Sequence, residues 1–319
     1  MATLPKITIL GSLNIDLVSY VPHHPLPGET LSATSFKVSP GGKGANQAVA
    51  CGKLSRSSSS SSIPPSAQIK MVGAVGSDTY GTLLLSNLSS YGVDPTLITS
   101  IPNAKTGIAI IIVDEPTGEN RIVLSAEANN LCSGQEFIEK ALEKGTDLLI
   151  MQLEIPMETV LAATEEAKRR GIKVLLNPAP AKKLPEEVYQ GLAHLIVNET
   201  EASILGEVDE RELDTEEGLE RVSEGFIKRG VENVVITLGA RGVYYMDKSG
   251  KKGLVEAEKG IKVVDTTAAG DTFVGRYALD VVGGGFDIEV AVKKGNKASA
   301  ITVQRAGAQD SIPWKDEVE

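Results

Sequence analysis

Short, unbroken apolar runs recur along this chain, and longer stretches with helical spacing lie between them. The runs are KITILG (6–11), IKMVGAVG (69–76), DLLIMQLE (147–154), KVLLNPAP (173–180), LAHLIVN (192–198) and ENVVITLG (232–239). Val/Ile/Leu runs without polar alternation predict strands covered on both faces, as in a parallel sheet. Helical spacing marks residues 43–54, TYGTLLLSNLSSYG (79–92) and METVLAATEEAKRRG (157–171). VVDTTAAGDTFVGRYALDVV (263–282) reads as a strand running into a helix. Strand–helix alternation repeated this often predicts an α/β fold: a doubly wound, mainly parallel sheet flanked by helices, with a Rossmann-like core.

Two regions break the rhythm. Residues 15–37 follow the first strand and hold no good helix, and TGIAIIIVDEPTGENRIVLSAEAN (106–129) reads as a hairpin. Both suit a small β-sheet attached to the main one, which would act as a lid that excludes water from a site. Ordinary edge hairpins are the plainer alternative. SRSSSSSSIPPSA, within 55–67, is polar and of low complexity and reads as a flexible surface loop.

Composition narrows the class. The 319 residues are 41% hydrophobic and 23% charged, enough for a large core and against global disorder. Length alone suggests about two domains, but one α/β core with an appendage also fits. The formal net charge of −10 argues against nucleic-acid binding, which needs a basic footprint. Two cysteines, Cys51 and Cys132, without a CxxC pair, speak against a disulfide framework or zinc knuckle and for a reducing compartment. The start, MATLPKITIL, lacks the longer apolar region of a signal peptide, and no apolar run reaches the ~20 residues of a membrane span. The expectation is a cytoplasmic protein with no membrane partner, the nucleus being left open. Of three histidines, His23 and His24 sit in a Pro-rich turn and His194 in an apolar strand, so a catalytic base would be a carboxylate.

Ligands of parallel sheets sit beyond the carboxyl ends of the strands, so the residues there are the candidates. In GSLNID, Asn14 and Asp16 could hold a sugar diol; an Asx-turn is the bland reading. Glu154 adds an acceptor. In PGGKGANQA (40–48) the glycines allow close backbone approach at a helix start, and Asn46 can both donate and accept. This is no Walker A loop, and no GxGxxG follows the first strand, against a dinucleotide site. NETE (198–201) is either a capping box or a pair, Asn198 and Glu201, aimed at a metal–phosphate complex. TLGARG (237–242) is either a phosphate-binding turn or a tight loop. AAGD (268–271) opens a helix, where free amides attract anions, yet Asp271 is itself an anion.

Taken together, GSLNIDLV, PGETL, GGKGANQA, MQLE, NPAPA, NETEA, TLGARGV, DTTAAGDTF and GAQDSIPW, in this order, resemble the ribokinase (PfkB) family of carbohydrate kinases. The resemblance runs over nearly the whole chain and implies one kinase domain, 1–319, that transfers phosphate from ATP to the 5-hydroxyl of D-ribose. It implies that Asn14, Asp16, Gly42, Lys43, Asn46 and Glu154 hold the sugar. Asp271 would be the base, and the amides of Ala268, Ala269, Gly270 and Asp271 the anion hole. Asn198, Thr237, Gly239, Gly242 and Asn296 would line the nucleotide site. Magnesium would arrive with ATP and meet Glu201 through water. An activating potassium ion would sit near Asp265, Thr267, Thr302, Arg305, Gly307 and Ser311, and the lid would build a homodimer. The resemblance also answers the question set by AAGD: the amides take charge developing on the phosphoryl group while Asp271 faces the sugar hydroxyl. A kinase for another sugar or a nucleoside is the near rival, and a non-catalytic sugar-binding protein the distant one.

Overall fold

The computed structural model describes residues 4–58 and 64–319. In chain order the strands are β1 (Lys6–Leu10), β2 (Asn14–Val21), β3 (Ser35–Gly41), β4 (Gln68–Val72), β5 (Ala74–Gly76), β6 (Val93–Asp94), β7 (Thr99–Ile101), β8 (Gly107–Asp114), β9 (Asn120–Ser125), β10 (Leu148–Met151), β11 (Lys173–Leu176), β12 (His194–Asn198), β13 (Asn233–Thr237), β14 (Val243–Asp247) and β15 (Lys252–Val255). The helices that matter below are α1 (Lys43–Leu54), α2 (Thr79–Ser90), α3 (Gln135–Ala141), α4 (Met157–Arg170), α5 (Glu199–Gly206), α6 (Glu216–Lys228), α7 (Ala269–Val282) and α8 (Ile288–Thr302).

Nine strands form the main sheet in the order β15-β14-β13-β12-β11-β10-β1-β4-β6. From β12 to β6 the pairings are parallel, as is β12 with β13; β14 and β15 run antiparallel at one edge. The parallel strands are buried on both faces because helices cover both. Ile7 and Ile9 of β1 and Leu148 and Ile150 of β10 pack on the layer with α1, α2, α7 and α8. Leu149 and Met151 pack on the opposite layer with α3–α6. Alternate residues thus enter two cores, which is why these runs carry no polar alternation. Local signals set the helix ends. Asp78 caps α2 by accepting from the Gly81 N–H, Asp287 caps α8 through Val290, and Gly171 closes α4 in the left-handed conformation.

Segments 14–41 and 107–125 make a separate four-stranded sheet, β3-β2-β8-β9. The run 69–76 is divided: β4 stays in the main sheet, while β5 pairs with β7 in a third, two-stranded sheet. Of the Ser-rich loop at 55–67, residues 59–63 lie outside the described residues. Its flanks are held: the Ser58 N–H and hydroxyl both donate to the Asp316 carboxylate at 2.9 Å, and the Ser66 N–H donates to the Ser55 carbonyl. One strand expectation fails. Residues 263–268 form no strand; Val263 and Val264 are exposed, and the backbone instead donates from Val264 and Asp265 to the Val303 carbonyl at the end of α8. An apolar pair read as part of a strand lies outside both cores.

Candidate active site

β1 lies between β10 and β4, and the chain proceeds from it to one side of the sheet before returning to the other. That makes the carboxyl ends of β1 and β10 a topological switch point, the place where open parallel sheets bind ligands. The segment after β1 is fastened to the segment after β10 and to the start of α1. The Ser12 hydroxyl donates to Glu154 Oε2 at 2.6 Å, and the Lys43 N–H donates to the same oxygen at 3.0 Å. The Ala45 N–H donates to the Ser12 carbonyl at 2.9 Å, so the start of α1 abuts the end of β1.

Two glycines make this approach feasible. Gly42 has φ of 86°, and a Cβ there would come within 2.7 Å of the Asn14 backbone nitrogen. At Gly41 a Cβ would overlap the Asp16 carboxylate, whose Cγ lies 2.5 Å from that point. Asp16, on β2, is thereby flush against the chain that leads into α1. Burial pushes its carboxyl up to about 7, with the charges of Glu154 and Asp271 adding to the effect. Asn14 is oriented by Asn129, whose Nδ2 donates to Asn14 Oδ1 at 2.8 Å and whose Oδ1 accepts from the Leu13 N–H at 2.9 Å.

Asp271 projects from the first turn of α7 and is buried. Its Oδ1 accepts from Gln47 Nε2 at 2.9 Å and its Oδ2 from Asn46 Nδ2 at 3.1 Å. Gln47 is itself held by Gln152 Nε2 at 2.6 Å, and its own Nε2 also reaches Asn177 Oδ1 at 3.0 Å. Lys43 is held protonated: burial would lower its pKa, but Asp271, Glu154 and Glu201 outweigh burial and raise it. Asp16, Lys43, Asn46, Glu154 and Asp271 therefore share one electrostatic cluster.

The turn before α7 is shaped for anions. Ala268 adopts the left-handed conformation with φ of 60°, a position few non-glycine residues occupy. The Ala269 N–H donates weakly to the Thr266 carbonyl at 3.3 Å. The amides of Ala268, Gly270 and Asp271 take no partner among the described residues, and they sit at the positive end of a 14-residue helix. Three backbone donors and one carboxylate thus meet at the start of α7.

A second group lies along the ends of β12 and β13, where register sets Asn198 beside Thr237. Asn198 and Glu201 form a full capping box: the Glu201 N–H donates to Asn198 Oδ1 at 2.8 Å, and the Asn198 N–H donates to Glu201 Oε2 at 2.9 Å. The Glu201 carboxyl is raised by burial against those bonds and the charge of Lys43. Gly239 and Gly242 both have positive φ, and a Cβ on Gly242 would strike the Val255 carbonyl. Arg241, between them, turns away, donating to the Leu213 carbonyl and pairing with Glu199. Asn296 on α8 donates to the Glu256 carbonyl at 2.9 Å.

A third group surrounds Asp265. Its Oδ1 accepts from the Thr267 N–H and its Oδ2 from the Gly307 N–H, both at 2.9 Å. Burial alone would raise its pKa; the hydrogen bonds from Thr267 and Gly307 lower it. The other side chains of this group face elsewhere. The Thr302 hydroxyl donates to Thr272 Oγ1 at 3.0 Å, Arg305 pairs with Glu317 at 2.6 Å, and the Ser311 hydroxyl donates to the Ala308 carbonyl at 2.7 Å. Any cation here would be met by backbone carbonyls and Asp265. Among the described residues no group of three His, Cys, Asp or Glu side chains could hold a metal by itself.

Sequence reasoning passed over Ser12, Gln47, Asn129, Gln152 and Asn177. Gln47 stands inside GGKGANQA and Asn177 inside NPAPA, so position in a motif was the available signal; Asn129 carried none. Two of the histidines are engaged elsewhere: burial drives His194 down to about 3, with its Nδ1 3.0 Å from the Tyr277 hydroxyl, and His23 faces Glu29.

The sequence profile of the pfkB family carbohydrate kinases matches residues 4–315. The ribokinase of Schizosaccharomyces pombe is 42% identical over 321 residues, spanning 98% of this chain and 96% of its own. Among solved structures, the ribokinase of Thermotoga maritima superposes with a TM-score of 0.82 at 38% identity, covering 99% of this chain and 98% of the other. The ribokinase of Arabidopsis thaliana, solved with ribose and ATP, gives a TM-score of 0.87 at 28% identity, with coverage of 99% and 98%.

Proposed function

The chain belongs to the pfkB family of carbohydrate kinases, and from that membership we propose that it is an ATP-dependent sugar kinase that phosphorylates D-ribose on its 5-hydroxyl. The observation that carries the reading is the meeting of Asp271, flanked by open helix-start amides, with Asp16, Lys43, Asn46 and Glu154 in one cluster.

In this reading Asp16 and Asn14 accept hydrogens from the sugar diol, Lys43, Asn46 and Glu154 bind further hydroxyls, and Gly42 lets the sugar lie against backbone. The 5-hydroxyl gives its proton to Asp271, while the amides at 268–271 receive negative charge developing on the transferred group. Asn46 and Gln47 keep both carboxylate oxygens aimed by donating to them. The nucleotide lies along Asn198, Thr237, Gly239, Gly242 and Asn296.

A divalent metal accompanies ATP in kinases of this kind and neutralises phosphate charge when bound. The residues fit a hard cation held through water: Glu201 is a buried carboxyl oxygen donor with one oxygen engaged in the cap. Potassium is assigned to Asp265 and the carbonyls near Thr267, Thr302, Arg305, Gly307 and Ser311. A homodimer is assigned to the small sheet. Its register sets Val38, Leu17, Ile110 and Val123 in one row, with Phe36 on the same face, opposite Asp16. Phe36, Val38, Ile110 and Val123 are exposed there, and an apolar face of this kind suits a second copy of the chain.

The test is ADP release from ATP with D-ribose, 2-deoxy-D-ribose, hexoses and nucleosides in parallel. Turnover with ribose well above the rest is expected. A hexose or nucleoside preferred over ribose would reassign the acceptor, and ribose binding without ADP release would make the protein a binder.

A further inference from the structure

A carboxylate can only accept hydrogen bonds, and that fact fixes the direction of every amide behind Asp271. Asn46 must turn Nδ2 toward Asp271 Oδ2, which leaves Asn46 Oδ1 facing outward. That oxygen accepts from Gln309 Nε2 at 3.0 Å. Gln309 Oε1, facing outward in turn, accepts from Asn87 Nδ2 at 2.5 Å. Asn87, Gln309, Asn46 and Asp271 come from α2, the C-terminal segment, α1 and α7. Gln309 is 3% exposed, so its amide has no water to turn toward. Its backbone is fixed as well: the Lys53 ammonium donates to the Gln309 carbonyl at 3.3 Å and lies over the rings of Tyr91 and Trp314.

The geometry points to Gln309 as a positioning residue for phosphoryl transfer, one link of a polarised amide relay that runs from Asn87 to the carboxylate of Asp271. The proposal rests on the kinase reading above. Each amide in the relay has two ends, and only one order presents a donor to Asp271. Reversal at the outer end propagates inward. With Asp at position 87 only an acceptor would face Gln309, so Gln309 would turn Nε2 outward and Oε1 toward Asn46. Asn46 would then turn its own Nδ2 outward and set Oδ1 against Asp271. Removing the outer end by Asn87→Ala releases Gln309 without forcing the wrong order.

The relay therefore predicts an order of effects that loss of packing does not. Asn87→Asp lowers kcat about tenfold, the order of magnitude for a lost hydrogen bond to a charged group, whereas Asn87→Ala lowers it less. At position 309, Gln309→Glu, which can only accept, lowers kcat more than Gln309→Met, which has no donor and imposes no order. KM for ATP stays near the wild-type value in all four, because the nucleotide residues are elsewhere. The experiment measures steady-state kinetics with ribose and ATP and the thermal midpoint of each variant. A merely structural role would rank the variants by midpoint, with the truncations at least as damaging as the polar replacements; equal or reversed order in either pair overturns the relay. Asn87 is only partly buried, so its pair decides the matter if the Gln309 variants do not fold. Failure of the kinase reading has a different signature, the absence of ADP release from the wild-type protein.

Discussion

Asp16→Asn should make the sugar-free protein more stable in mild alkali while abolishing its grip on sugar. The carboxyl of Asp16 has an ordinary value of 3.8 and is pushed up to about 7 by burial, then by Glu154 and Asp271. The folded state therefore binds a proton that the unfolded chain has released between pH ~4 and ~7. Stability from this group is complete below pH ~4 and falls as pH rises through ~7. A shift of about three units corresponds to about 4 kcal/mol, and the sharing of charge among three carboxylates brings the working range to about 2–4 kcal/mol. Asparagine keeps the size and does not ionise, so the difference in unfolding free energy, variant minus wild type, should grow by that amount from pH 4 to pH 8. The assay is urea unfolding without sugar at pH 4, 5, 6, 7 and 8; groups that do not interact with Asp16 cancel in the difference. Saturating ribose should narrow the gap at pH 8, because only the wild type gains binding energy. A difference that stays flat with pH would refute the burial argument, since Asp16 would then ionise alike in the folded and unfolded states.

Asp271→Asn should keep ribose binding by calorimetry and cut turnover by roughly 10²–10⁴, the usual span for a lost general base; near-normal turnover would remove Asp271 from its role. Replacing potassium by sodium or choline at constant ionic strength should lower kcat, and equal rates in the three salts would dismiss the cation assigned near Asp265. Sedimentation should find dimers that Ile110→Lys converts to monomers, because the substitution puts a charge in the exposed row of the small sheet; a monomeric wild type at micromolar concentration would refute that interface.

The main sheet was legible because two covered faces demand unbroken apolar runs, and β1, β10, β11, β12 and β13 all show them. The antiparallel edge strands β14 and β15 went unread: Lys252–Val255 is half exposed and lacks the run, and GVYYMD has polar hydroxyls among its apolar positions. Val263 and Val264 misled for the opposite reason. Two adjacent valines before a helix look like a strand end, but among the described residues no strand pairs with them, and the Val264 N–H goes to the end of α8 instead. The carboxylates and glycines of the site were legible because charge beyond a strand end and small residues at a helix start are rare enough to stand out. Gln47 and Gln309 offered only their place inside GGKGANQA and GAQDSIPW, and Asn129 offered nothing. A neutral amide costs little at the surface and is common there, so only three-dimensional placement distinguishes one that aims a catalytic group.

The use of amides at Asp271 has its own logic. An arginine in the place of Asn46 and Gln47 would hold the carboxylate more strongly, through charge-assisted bonds, and would favour its ionised form so far that it became a poor acceptor for a hydroxyl proton. Neutral amides aim both oxygens through weaker bonds that bring no positive charge of their own. Lys43, a cation of the cluster, is divided among Asp271, Glu154 and Glu201, so it offsets the repulsion without belonging to any single member. Direction must then come from the order of the amides, and an order is only as firm as its last fixed link. On the Oδ1 side the order ends at Gln152, which donates through Nε2 to Gln47 and whose Oε1, buried beside Gly11, meets no partner among the described residues. On the Oδ2 side that link is Gln309, held by Asn87 and Lys53. In the proposed relay both oxygens of the base are thus steered by residues one step behind Asn46 and Gln47, and the C-terminal segment serves the chemistry proposed for the start of α7.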